Sequence, residues 1–195
     1  MKRNLVRTEP LTSSFLSCEK DTETIIRRLF IDNQPYSNEL KRLLIINNPD
    51  CLQDKTNPEY IKVINDISIS DMIKKGYIEL DPKLKFHEHE EIRSFICISY
   101  DNFVTNPTNP KFRDCTINFD IICNYDQWNL GNFQQRPYKI AGYIDGLLNN
   151  TRLSGIGKLE FVAATDIPLP SEWGGITMMY RAVHGSDDQI PPEEE

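Results

Sequence analysis

Three residues could hold a phosphate: Gly155, Gly157 and Lys158, in the stretch SGIGKLEF. A phosphate-binding loop runs from a strand, through glycines and a Lys-Ser/Thr pair, into a helix whose N-terminal N–H groups and positive dipole end hold the anion. Here the order is inverted. The apolar stripe of Ile140, Tyr143, Ile144, Leu147 and Leu148 marks a helix before the glycines, so the nearest helix end is a C-terminus, which repels phosphate. A strand-like segment follows, and Leu159 stands where the Mg-binding hydroxyl is required. Gly155 and Gly157 therefore read as turn residues supplying positive φ and close packing. The expectation is no nucleotide, no cofactor and no enzyme.

Other chemistry is thinner. In FHEHEE, His87 and His89 would share one face of a strand and could ligate a metal, but no third ligand is placed, so a charged surface loop is the expectation. His184 has no evident partner, and no serine sits in a nucleophile elbow. Asp120, Asn124 and Asp126 fall on one face of a strand and could mimic paired carboxylates, although a solvated or subunit-facing sheet surface accounts for them. The five cysteines, Cys18, Cys51, Cys97, Cys115 and Cys123, are odd in number and include no CxxC, so they read as reduced thiols rather than disulfides or a zinc site.

The elements that would position these residues follow from periodicity. Ile25, Ile26, Leu29 and Phe30 make one helical face over 21–30, and Leu40, Leu43 and Leu44 make another over 37–48. Residues 49–91 stay open between a short helix and an extended stretch. From 92 onward the period becomes two. In CTINFDIICNYD, residues 115–126, odd positions are apolar and even positions mostly polar, as in a half-buried antiparallel strand. Residues 94–104 pair with it across a link whose two Asn-Pro steps forbid a helix. The helix that begins at Pro137 comes next, then strands over 157–165 and 175–183. The fold class is α+β: a mainly antiparallel four-stranded sheet with one packed helix, preceded by a short helical N-terminal section.

The chain has 195 residues, enough for one domain, and no run of 18 apolar residues to span a membrane. Its charge is −7, but the last nine residues, DDQIPPEEE, carry five acids and no base. Removing those five charges leaves −2, so the body is nearly neutral and lacks the basic face of a general nucleic-acid binder. The expected organisation is an arm over 1–20, a single domain over 21–184, and an acidic disordered tail over 185–195.

The block FVTNPTNPKFRDCTINFDIICNYDQWNLGNFQQRPYKIAGYIDGLLNNTRLSGIGKLEF resembles tail-terminator and related head–tail joining proteins of tailed bacteriophages, in its strand pair, its Arg-initiated helix and the run ending GIGKLEF. That resemblance implies a structural virion protein, assembled in the host cytoplasm, that forms a ring, commonly six-fold, where the tail meets the head. Its implied partners are further copies of itself, the tail tube protein and the head connector or stopper. DNA would pass through the lumen without specific binding, and no catalytic residue is carried over. The alternatives are a stopper or other connector of the same neck and, from a different class, a nucleotide-binding enzyme built on Gly155 to Lys158. Loops 101–114 and 126–137 exceed what turns need and carry aromatics, so Phe103, Phe112, Trp128 and Phe133, with Arg136, are the candidate interface residues.

Overall fold

The computed structural model describes residues 14–32, 34–80, 93–105, 113–153, 156–170 and 172–184. Four helices come first: α1 (Ser14–Phe30), α2 (Ser37–Ile45), α3 (Pro58–Asp66) and α4 (Ile69–Lys74). The strands are β1 (Ile78–Glu79), β2 (Ser94–Thr105), β3 (Arg113–Asn124), β4 (Asn129–Leu130), β5 (Gln134–Gln135), β6 (Arg152–Leu153), β7 (Gly157–Lys158), β8 (Glu160–Asp166) and β9 (Trp173–His184). Helix α5 (Arg136–Leu148) lies between β5 and β6.

The main sheet has five strands in the order β1-β2-β3-β9-β8. The expected four are joined by β1, two residues long and parallel to β2, while every other pairing is antiparallel. The long strand expected over 157–165 is split. Gly157 and Lys158 belong to a separate two-residue hairpin with β6, and β8 starts at Glu160. Helix α1 begins at Ser14, seven residues before Asp21, so part of the expected arm is helical. The ambiguous 49–91 stretch resolves in its described part into α3, α4 and β1, each helix capped by a side chain: Asn57 accepts from the Glu59 N–H and Ser68 from the Asp71 N–H.

The alternation in β3 sets the core. Cys115, Ile117, Phe119, Ile121 and Cys123 are buried against the helices, and Thr116, Asn118 and Asp120 face the other way, half-buried. Phe119 lies between Ile98 and Met178 in the register and meets the Tyr180 ring edge-on at 5.6 Å. Tyr180 in turn donates to Asp145 of α5 at 2.8 Å, tying helix to sheet. Two positions break the expected pattern. Tyr125 is not a core position: β3 stops at Asn124, whose side chain caps a 3-10 turn over Tyr125–Gln127, and Tyr125 turns outward. Ile122 is buried although it lies on the polar face, because Phe95, Trp173, Ile167 and Leu169 form a second small core over one end of that face.

Phe119→Ala removes a fully buried ring and should cost about 3–5 kcal/mol, whereas Asn118→Ala, on the half-exposed face, should cost far less. Urea unfolding of the two variants checks this, and equal losses would contradict the register.

Candidate assembly surface

The largest fully buried side chain among the described residues is a cation, Arg136, the first residue of α5. Its Nε donates to the Gln127 carbonyl at 2.9 Å, Nη1 to those of Leu43 and Ile46 at 2.6 and 3.0 Å, and Nη2 to that of Asn48 at 3.2 Å. The last carbonyls of a helix lack intrahelical donors and carry its negative dipole end. Leu43 and Ile46 supply such carbonyls at the end of α2, and a guanidinium fork has the geometry to take several at once. Arg136 is thus an internal clamp and is not available to a partner. The candidate interface residue Arg136 lies in the interior of its own chain, bonded to these backbone carbonyls and to the Cys51 thiol. Arg42 repeats the device nearby, its fork reaching the carbonyls of Cys51, Asp54 and Lys55 at 3.5, 3.4 and 3.2 Å.

These forks brace the short hairpin β4–β5. The Arg136 N–H donates to the Trp128 carbonyl at 2.7 Å, closing the base of the hairpin, and the Gly131 N–H donates to the Pro49 carbonyl at 3.0 Å, laying it on the loop that Arg42 holds. At its tip Asn132 and Phe133 have φ of 60° and 59°. Left-handed backbone costs roughly 1–2 kcal/mol for a residue with a Cβ, and asparagine tolerates it far better than phenylalanine. Phe133 is nevertheless there, with its side chain fully exposed.

The other candidates fall in three classes. Trp128 is half-buried. It packs beside Tyr125 (5.3 Å between centroids) and meets Tyr138 edge-on (6.5 Å), and its ring lies so close to Gly174 that a Cβ there would sit 2.6 Å from it. It serves the core and the surface together, while Tyr125 and Tyr138 beside it are exposed. Phe103 is half-buried against the main core. Phe112 lies outside the described residues, as do His87, His89, Gly155 and residues 185–195.

The strand expected over 157–165 is present as β8, and what the sequence does not show is its place in the sheet. It is the outer strand of the sheet, next to β9 alone, and six of its seven residues are exposed, including Phe161 and Val162. Edge strands are ordinarily blunted by charge or proline, yet residues 161–165, FVAAT, carry neither. Among the described residues, a bulge between Phe161 and Ala163 and a hydrogen bond from the Phe161 N–H to Asn149 Oδ1 interrupt the edge. The signal was present as an uncharged run between Glu160 and Asp166, but which strand is outermost is a property of topology.

Of the glycine stretch, Gly157 and Lys158 form β7 of the β6–β7 hairpin. Gly157 has φ of 84°, and Lys158 makes a surface ion pair with Glu160 at 3.1 Å. Asp120 accepts from the Thr177 hydroxyl at 2.6 Å, and burial raises its carboxyl above the ordinary range despite that bond. Asn124 is occupied as a cap, so Asp120, Asn124 and Asp126 do not form a carboxylate pair. Among the described residues no three His, Cys, Asp or Glu gather as metal ligands, and no helix is long and apolar enough to cross a membrane. All five cysteines are thiols, and burial pushes Cys123 up to about 12 and raises Cys51 even against the nearby Arg136 and Arg42.

The sequence model of the YomW family matches residues 37–182, from α2 into β9. The chain belongs to the YomW family. The family is phage-derived. No curated protein matches the chain. Among solved structures, a chain of "Virion of native gene transfer agent (GTA) particle" aligns with 13% identity and a TM-score of 0.39, covering 65% of this chain and 91% of that one.

Two expectations concern this YomW-family chain in isolation. Arg136→Ala should cost about 3–5 kcal/mol by orphaning a set of buried carbonyls, and Arg136→Lys should recover little of it, since an ammonium cannot span the same fork; urea midpoints read both. For Asp120 the folded carboxyl keeps its proton to higher pH than the unfolded one, so its contribution declines as pH rises through the folded value. Asp120→Asn, which still accepts from Thr177, should raise the melting temperature at pH 7 and raise it less near pH 4.

Proposed function

We propose that this chain is a structural virion protein that forms a homomeric ring at the head–tail joint of a tailed phage or phage-derived particle, acting as a tail terminator that caps the tail tube and docks it to the head connector. The observation that carries the reading is the pair of features that folding of one chain leaves unexplained. One is the exposed edge of β8, uncharged over residues 161–165, and the other is Phe133, held out at full exposure on a strained backbone. Strain of this kind persists where the surroundings over-determine it and clusters at sites of function. An edge on one side of the subunit and a knob elsewhere make unlike surfaces, and unlike surfaces join head to tail, which closes into a ring when the rotation permits. Membership of a phage-derived family and the sequence resemblance to tail terminators point the same way.

On this reading the partners are further copies of the chain, the tail tube protein and a connector or stopper, and the near-neutral body lets DNA pass without adhering. A stopper or other connector of the same neck would use the same two surfaces and differ only in which neighbour it meets. The nucleotide-enzyme reading loses its basis with the inverted order around Gly157 and the ion pair of Lys158: Lys158→Ala should leave melting unchanged, and neither ATP nor GTP should shift it.

Light scattering followed by negative-stain imaging, alone and with purified tail tubes, tests the ring. Val162→Lys, which places a charge on the β8 edge, and Phe133→Asn, which suits the left-handed backbone, should each weaken ring formation while keeping the melting temperature of the single chain at or above that of the parent. A particle reconstruction with no copy at the head–tail joint would sink the proposal, and intact rings from both variants would remove these surfaces from it.

A further inference from the structure

Away from β8 and Phe133 a groove of about 660 Å³ opens between the end of α1, the start of α2 and the α3–α4 junction. One wall is apolar, with Phe30, Ile31, Ile64, Ile67 and Ile69. The floor is the first turn of α2, and it is missing something. Tyr36 at the N-cap provides no side-chain hydrogen bond to the helix. Ser37, 3% exposed and lining the groove, has an Oγ without a hydrogen-bond partner. One turn on, Lys41 lines the same groove half-buried, and burial lowers its pKa. A buried hydroxyl without a partner is costly, and helix N-termini favour anions.

We propose that this groove binds an acidic peptide segment, with a carboxylate seated on Ser37 Oγ, Lys41 Nζ and the first-turn N–H groups of α2, and an aliphatic neighbour against Ile64 and Ile67, and that the occupant is the chain's own segment 187–195. The lining includes one cation and no acid, which suits a single carboxylate better than a phosphate, whose higher charge calls for more than one cation. The apolar wall requires an occupant that is not acidic throughout. DDQIPPEEE has both parts: Ile190, Pro191 and Pro192 lie between Asp187 and Asp188 on one side and three glutamates on the other. The segment lies outside the described residues. The inference stands apart from the ring proposal and uses none of its residues.

Carbodiimide cross-linking of the full chain, mapped by mass spectrometry, should join Lys41 to a carboxylate within 187–195. Mixing isotopically light and heavy chains distinguishes a link within one copy from a link between two, and either supports the proposal. The variant with all five tail acids changed to Asn or Gln should lose the link. In it, hydrogen exchange at the amides of Asn38 and Glu39 should speed up while exchange in α5 stays constant, and Ser37→Ala should lower the link yield. Lys41 linking only to other carboxylates, or unchanged exchange at those amides, would overturn the proposal. Inorganic phosphate protecting the same amides equally in both chains would replace it with a phosphate site.

Discussion

A single buried guanidinium holds together parts of the chain that are far apart in sequence. Arg136 bonds to the 3-10 turn after β3 and to three carbonyls around the end of α2, about ninety residues upstream. Taking a charge out of water costs several kcal/mol, and backbone carbonyls offset that only if they converge with good geometry. They converge here because α2 ends at this point and turns its last carbonyls toward the start of α5. The cost of burial thus enforces one arrangement of helix, turn and hairpin, since any other would leave the charge or the carbonyls unmatched. Whether such a group yields net stability against an apolar replacement is a separate matter from the specificity it confers.

The sheet has two unlike faces as a result of what covers each. The helices seal one face with the main core. The other carries Thr116, Asn118, Asp120 and Thr177, and among the described residues the small cluster of Phe95, Ile122 and Trp173 covers one end of it. Two polar pairs bond there, Asn118 Nδ2 to Asp101 and the Thr177 hydroxyl to Asp120. The surfaces left over are the rim: the β8 edge and the tip of the β4–β5 hairpin.

What was legible in the sequence was whatever repeats. Five alternating positions of β3 identified the core face, and the stripe from Ile140 to Leu148 identified α5, because burial imposes period on strands and helices alike. The inverted order around Gly157 was legible because helix polarity is local. Arg136 was not. An arginine before a proline looks like an exposed helix start, and nothing nearby announces that the end of α2 folds over it. For Phe133 the sequence shows an exposed aromatic in a long loop, which it is, but not the left-handed backbone angle that no composition reveals. The sequence shows the strand that becomes β8 and implies open sheet edges, but not that β8 is one of them, because edge or centre is decided by strand order, a global property. Ile122 lies on the face the alternation gives it, and its burial there was unreadable for a related reason: the loop through Ile167 and Leu169 returns to cover that end.

The five thiols have a consequence for where the folded chain can exist. Four are buried, and burial raises Cys51 and Cys123, so little thiolate, the form that oxidants attack, is present at neutral pH. No disulfide contributes to stability, and so reduction removes nothing. For the four buried thiols, packing limits access by oxidants, while Cys18 is only partly covered. Transfer from a reducing to an oxidising medium therefore leaves the buried cysteines as they were, and chains crowded together have no buried thiol to exchange with a neighbour.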